Sequence, residues 1–206
     1  MHIDPQHLST RHVYQLVTSM IQPRPIAWVG TRSLSGISNL APFSYFMGVS
    51  SDPPALAISI VRKGGGLLKD SAQNILDTHV FTVSIPSVAH IAAVAGSASG
   101  YPSDVSEFDA LGLDSVQGTV VDAPYPALAS ATAECRLIHT HDLGTVHLLV
   151  GEIVAFHIAD SVLTHGRDGQ PLVDSAALAP LARLGGVEFA AVGERLVQPT
   201  PRVPTS

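Results

Sequence analysis

The sequence predicts a mainly β fold with a few helices, closed into a small β-barrel. Three observations carry this. Strand-like segments follow one another with little helix between them, whereas a doubly wound α/β sheet alternates strand and helix. Two long strand-like segments, 131–141 and 147–158, are joined by Asp142-Leu143-Gly144-Thr145, which reads as a hairpin connection. At 206 residues the chain has the size of one domain with a sizeable core.

The elements follow in order. Residues 7–20 place Val13, Leu16, Val17 and Met20 at helical spacing, with Ser9 or Thr10 available as an N-cap. Pro23 and Pro25 stop that helix. Strands are expected at 26–32, 39–50, 55–61 and 81–85, separated by Ser-Gly, Asp-Pro-Pro and Gly-rich punctuation. Helices are expected at 71–78 and 88–94, with a short one at 105–111. After the two long strands, 177–184 reads as a last helix or turn. The domain is expected to span 1–190, followed by a Pro-rich, extended or disordered arm at 191–206.

Composition removes several function classes. A net charge of −6 argues against broad nucleic-acid binding, which needs a basic face. No apolar run approaches the roughly 20 residues of a membrane span, and the first residues lack a basic segment followed by an apolar one, so the reading is cytoplasmic with no membrane partner. The single cysteine, Cys135, excludes an internal disulfide and suits a reducing compartment. Charged residues make up only 14% of the chain and the mean hydropathy is +0.30, which points to apolar surface buried in an oligomer interface or around a cofactor.

Two segments concentrate chemistry. Both lysines, Lys63 and Lys69, fall in Arg62-Lys63-Gly64-Gly65-Gly66-Leu67-Leu68-Lys69-Asp70-Ser71, which runs into a helix start. A basic cluster at a helix N-terminus in an acidic protein suits an anion such as phosphate, and a solvated Gly-rich turn is the plainer alternative. The second segment runs from Arg24 to Phe46 and holds the only tryptophan, Trp28, and the rings of Phe43, Tyr45 and Phe46 among Ser38, Asn39 and Ser44. Apolar walls with a few placed polar groups suit a planar heteroaromatic ligand, and a packed core hairpin is the alternative. Dinucleotide, P-loop, Gly-x-Ser-x-Gly and His-Glu-x-x-His signatures are absent. His139 and His141, two apart on a strand, with Asp142, His147 and Glu152 nearby, raise a metal-dependent rival, although the spacing fits no metal signature and no metal is expected.

Arg24-Pro-Ile-Ala-Trp-Val, Ser38-Asn-Leu-Ala-Pro-Phe-Ser-Tyr-Phe and Lys69-Asp-Ser-x-x-Asn74-Ile, followed in order by the segments 107–113, 134–137, 151–154 and 183–186, resemble the flavin reductase-like proteins of the FMN-binding split-barrel superfamily, the flavoredoxins among them. The resemblance covers about residues 13–186. It implies a dimeric FMN-binding split β-barrel, with flavin near the subunit interface of a homodimer. It implies that Trp28, Asn39, Leu40, Ala41, Ser44 and Tyr45 serve the ring and ribityl chain, partly through backbone groups. Lys69, Asp70 and Ser71 are implied at the phosphate, with Asn74 in support, and Arg62 and Lys63 are carried over with less weight. His147 is the one candidate near a nicotinamide; no other catalytic residue is implied. The implied activity is that of an NAD(P)H-dependent flavin oxidoreductase using FMN or FAD, passing hydride to flavin and electrons onward to a partner monooxygenase or another acceptor. An FMN-binding electron carrier or flavin store without NAD(P)H activity is the alternative.

Overall fold

The computed structural model describes residues 1–199, so residues 200–206 of the predicted arm lie outside the described part. Seven strands form the main sheet: β1 (Ala27–Arg32), β2 (Ser38–Phe43), β3 (Phe46–Ser51), β4 (Pro54–Val61), β5 (Val80–Ser84), β6 (Ala131–Asp142) and β7 (Val146–Ile158). Their order is β2-β1-β5-β6-β7-β4-β3, and every neighbouring pair is antiparallel. The two edge strands, β2 and β3, are consecutive in the chain and separated only by Ser44 and Tyr45. A seven-stranded sheet can bring its edges that close only by curling into a barrel. The Ser59 N–H donates to the Tyr45 carbonyl at 2.8 Å and extends the β3–β4 ladder into this connection.

The expectation of one strand over 39–50 is therefore corrected. The segment leaves one edge of the sheet and re-enters at the other, breaking at Ser44-Tyr45. Pro42, which has no N–H to give to a ladder, sits on the edge strand β2 opposite Trp28, where a missing donor costs little. Other differences are smaller. The helix expected at 88–94 is a 3-10 turn, Val88–His90, running into α3 (Ile91–Gly96); the one at 105–111 is α4 (Glu107–Leu111). The helix or turn expected at 177–184 is α5 (Ser175–Leu178) followed by a short strand, Leu181–Arg183, which pairs with Arg24–Pro25 and with Phe189–Ala191. Ala191, the expected first residue of the arm, is thus the last residue of that small sheet.

The barrel interior is packed with Val29, Ile58, Ile60, Phe81, Val83 and Leu149, closed at one side by Ala72 and Ile75 of α2 (Asp70–Thr78). Packing is close enough to require glycine twice. A Cβ on Gly30 would lie 1.9 Å from the Pro124 carbonyl oxygen, and one on Gly151 would lie 2.4 Å from Phe81 Cζ. A second cluster covers the outer face of β1 and β2: Trp28 and Leu40 pack under Val94 of α3, Phe108 of α4 and Leu181.

Helix α1 (Thr10–Met20) begins where expected, with Ser9 Oγ accepting the His12 N–H at 3.3 Å. Its apolar face is not buried as the spacing predicts. Thr18 is the only buried residue of the helix, and Met20 is 81% exposed. Val13 and Val17 are only partly buried, and Leu16 is exposed. Among the described residues no helix is long and apolar enough to cross a membrane.

Candidate functional site

The site is a cleft on the outside of β2, between α2, the 96–101 loop and the small sheet. Its two halves, of about 340 and 490 Å3, share Pro42, Phe43, Lys69 and Ala98 and so form one trough. That combined size is in the range of a cofactor site.

One end is built around the start of α2. The helix is N-capped by Lys69, which has no side-chain capping bond, so no cap occupies its first N–H groups. Ser71, in the first turn, is buried, and its Oγ accepts from Asn39 Nδ2 at 2.8 Å. Asn39 comes from β2, so this bond joins the two segments singled out in the sequence. Lys69 lies across the Phe43 ring with Nζ 5.7 Å from the centroid. Desolvation lowers its pKa from the ordinary lysine value, and nearby Lys63 adds to the effect. Lys63 pairs with Asp70 at 2.8 Å. These groups meet the requirements of a phosphate: open backbone donors at a helix N-terminus, an ammonium and a fixed hydroxyl.

The other end is apolar and basic. Ile26, Pro42, Phe43, Val94, Ala98 and Phe189 supply walls, with Ser44 placed among them. Arg183 stacks over Phe189 at 4.4 Å from the ring centroid and donates to the Gly186 carbonyl. The walls suit a flat ring system.

The structure separates lining residues from supporting ones. Asn39, Ala41, Ser44, Lys63, Lys69, Asp70 and Ser71 line the trough. Trp28 does not: its ring is fully buried and its Nε1–H donates to Ser97 Oγ at 2.9 Å, so it holds the 96–101 loop from beneath. The Leu40 side chain is fully buried in the outer cluster, and its N–H donates to Glu107 Oε2 at 2.8 Å. Asn74 points the other way and donates to Thr31 Oγ1 at 3.0 Å, pinning α2 to β1. The Tyr45 carbonyl accepts from the Ser59 N–H of β4, and Tyr45 is not among the lining residues of the trough.

Arg62 and His147 are also placed away from the trough. Arg62 donates to Asp142 Oδ2 at 2.8 Å and to the Gly66 carbonyl at 2.9 Å, and it touches His147 Nε2. With its fork turned toward the β6–β7 hairpin, Arg62 is not available to the start of α2. His147 is buried, and its Nδ1 has no partner. For the metal rival, His139 and His141 are both exposed, and among the described residues no cluster of three or more His, Cys, Asp or Glu is arranged to hold a metal.

Sequence reasoning missed Glu107, Ser97, Ser99 and Tyr101, which complete the trough. Glu107 is buried; burial raises its carboxyl pKa above the ordinary range, against the lowering effect of the Leu40 N–H. Glu107 opens one of the ordered motifs, but nothing local ties it to β2. The serines lie in Gly96-Ser97-Ala98-Ser99-Gly100, a small-residue stretch that is also what a plain loop looks like.

Comparison with known proteins bears on the family and the fold. Residues 20–176 match the Flavin reductase like domain. The uncharacterized protein YwrF of Bacillus subtilis is 36% identical over 201 residues, covering 94% of this chain and 96% of that protein. Nitrilotriacetate monooxygenase component B from Bacillus cereus superposes with a TM-score of 0.88 at 29% identity, over 96% of this chain and 98% of the other. Flavoredoxin of Desulfovibrio vulgaris (Miyazaki F) superposes with a TM-score of 0.75 at 28% identity, over 86% and 91%.

Proposed function

Because this chain belongs to the flavin reductase-like family of split-barrel proteins, we propose that it binds FMN in the trough and acts as an NAD(P)H-dependent flavin oxidoreductase. The observation that carries the reading is the meeting of Asn39, Lys69, Ser71 and the open start of α2 at one end of a cleft whose other end is apolar. When bound, the flavin supplies the redox chemistry, taking hydride from a nicotinamide and releasing electrons to an acceptor. The chain's own residues do the rest. Lys69, Ser71 and the α2 N–H groups hold the phosphate. Asn39 fixes the Ser71 hydroxyl, and Glu107 fixes the backbone at Leu40, so this part of the wall is set before the ligand arrives. Pro42, Phe43 and Ile26 exclude water from one side of the ring.

The acceptor is proposed to be a partner protein, as the likeness to a monooxygenase component suggests. A homodimer belongs to the same reading. An apolar groove of about 550 Å3, lined by Phe46, Ala55, Val83, Ala133, Ile153 and Phe156 among others, lies open beside the edge strand β3, and Met47, Val49 and Phe156 are each at least half exposed. With the exposed part of the α1 face, this surface accounts for the low charge of the chain.

The test is the absorbance of the purified protein with one equivalent of FMN, followed by NADH or NADPH without air. Bleaching of the flavin band at a rate well above that of free FMN is the expected result. Bound flavin that neither nucleotide reduces would favour the electron-carrier reading, and no perturbation of the flavin spectrum would overturn the proposal.

A further inference from the structure

The small sheet beside the cleft holds a buried cation that the phosphate end does not use. Arg24 is 3% exposed. Its guanidinium donates to the carbonyls of Thr18 at 2.7 Å, Ile21 at 2.9 Å and Leu184 at 2.5 Å, and to Ser44 Oγ at 3.3 Å. Every one of these acceptors is neutral. Among the described residues Arg24 forms no ion pair, whereas Arg32, Arg62, Lys63 and Arg195 each do. A buried charge is ordinarily paired, because an uncompensated one is costly. The helix α1 carbonyls offset part of that cost through the helix dipole, and they explain the orientation of the fork. They leave its net charge in place.

That charge sits one side chain behind the cleft wall, since Ser44 both accepts from Arg24 and lines the apolar end. The same end is lined by Lys69 and Arg183 and by no Asp or Glu, in a chain of net charge −6. Both carboxylates of the trough, Asp70 and Glu107, are at the phosphate end. The apolar end therefore carries positive potential in a setting of reduced dielectric, where a fixed charge acts strongly. The phosphate end has its own donors, so this second positive region calls for a second negative charge on the ligand.

We propose that Arg24 is a positioning residue that sets the ring end of the cleft to favour the reduced, more negative form of the flavin, through its acid-free buried charge and its hold on Ser44. The inference rests on the flavin reading above. Two electrons and one proton convert the neutral ring to a reduced anion, and a cation close to where that charge develops tunes the electronics of the bound ring. Arg183 and Lys69 add to the same field from the cleft surface.

The experiment compares wild type, Arg24→Gln and Arg24→Lys. Dissociation constants for oxidised FMN and for dithionite-reduced FMN are measured anaerobically by titration, with thermal unfolding run in parallel. Wild type should bind reduced FMN more tightly than oxidised FMN. Arg24→Gln should lose about tenfold of that preference, equivalent to about 30 mV in the two-electron potential of the bound flavin. Arg24→Lys, which keeps the charge and loses the fork, should retain most of it. Equal weakening of both redox forms in the two variants would reduce Arg24 to a structural clamp and overturn the inference. Should Arg24→Gln fail to fold, the wild-type comparison decides: oxidised FMN bound as tightly as reduced FMN, or more so, overturns it. If wild type binds neither form, the flavin reading falls and this inference with it. If wild type binds flavin and the preference is the same in all three proteins, this inference alone falls.

Discussion

Two buried ions lie in different parts of this fold and are treated in opposite ways. Glu134, on β6, is fully buried and surrounded by donors: the N–H groups of Thr119, Val120 and Val121, the Thr119 hydroxyl and His157 Nε2. Burial alone would raise its pKa; the bonds from His157, Thr119 and Val120 outweigh burial and lower it to about 2. Its charge is consumed within the protein, in tying the 118–121 loop to the barrel wall. Arg24 is nearly as buried but meets only neutral oxygens. Its charge is left over, beside a cleft. A buried ion whose bonds all tie one loop to the barrel wall is a structural device, and a hydrogen-bonded ion without an ionic partner beside a cavity points to what enters the cavity.

That contrast can be broken most forcefully at Glu134. Replacing it with Gln should cost about 3–5 kcal/mol of stability, since it leaves donors facing an amide that cannot accept from all of them. Chemical denaturation measures this, and FMN affinity of the folded fraction should hardly change. The sign of the pH dependence follows from a depressed carboxylate. Glu134 contributes stability above the unfolded value of 4.5, and that contribution is lost as pH falls from 4.5 toward about 2. About 3 kcal/mol is at stake in wild type, and the Gln variant should lack this part of the acid slope in a denaturation series.

Ser71→Ala tests a group that belongs to both worlds, buried in the fold and facing the trough. It removes the partner of Asn39 and one phosphate donor, so FMN affinity should fall by about 0.5–1.5 kcal/mol with a smaller loss of stability. Isothermal titration beside thermal melting separates the two. The smallest effect is expected at Lys63. Its pair with Asp70 is partly exposed and screened, so Lys63→Ala should change stability by less than about 1 kcal/mol. A large loss of FMN affinity in that variant would show that Lys63 leaves Asp70 for the phosphate, and would move the centre of the anion site from Lys69 toward the Gly-rich loop.

Local chemistry was legible in the sequence; long-range placement was not. The strands, the start of α2 and the lysine loop carry their signals within a few residues, as at Lys69-Asp70-Ser71. The Asn39–Ser71 bond spans 32 residues, and only the resemblance to a family brought its partners together. The resemblance implies Trp28 and Leu40 at the ligand, but an apolar residue beside a polar motif looks the same in sequence whether its side chain faces a cleft or the core; burial separates the two. Arg62 adjoins Lys63 just after β4, yet Arg62 turns to Asp142 while Lys63 lines the trough. The face of α1 has the period of a buried helix, yet the described chain covers it only in part. Periodicity reports that a face is apolar, and it does not report which molecule covers it.

The FMN phosphate is proposed to sit at Lys69, Ser71 and the start of α2. The direct measurement is the affinity of wild type and Lys69→Ala for FMN and for riboflavin, which differ only by the phosphate, by fluorescence titration. Wild type should prefer FMN, and Lys69→Ala should lose about 1–3 kcal/mol of FMN affinity while riboflavin binding stays the same. Equal affinity of wild type for the two flavins, or an FMN affinity untouched by Lys69→Ala, would contradict it.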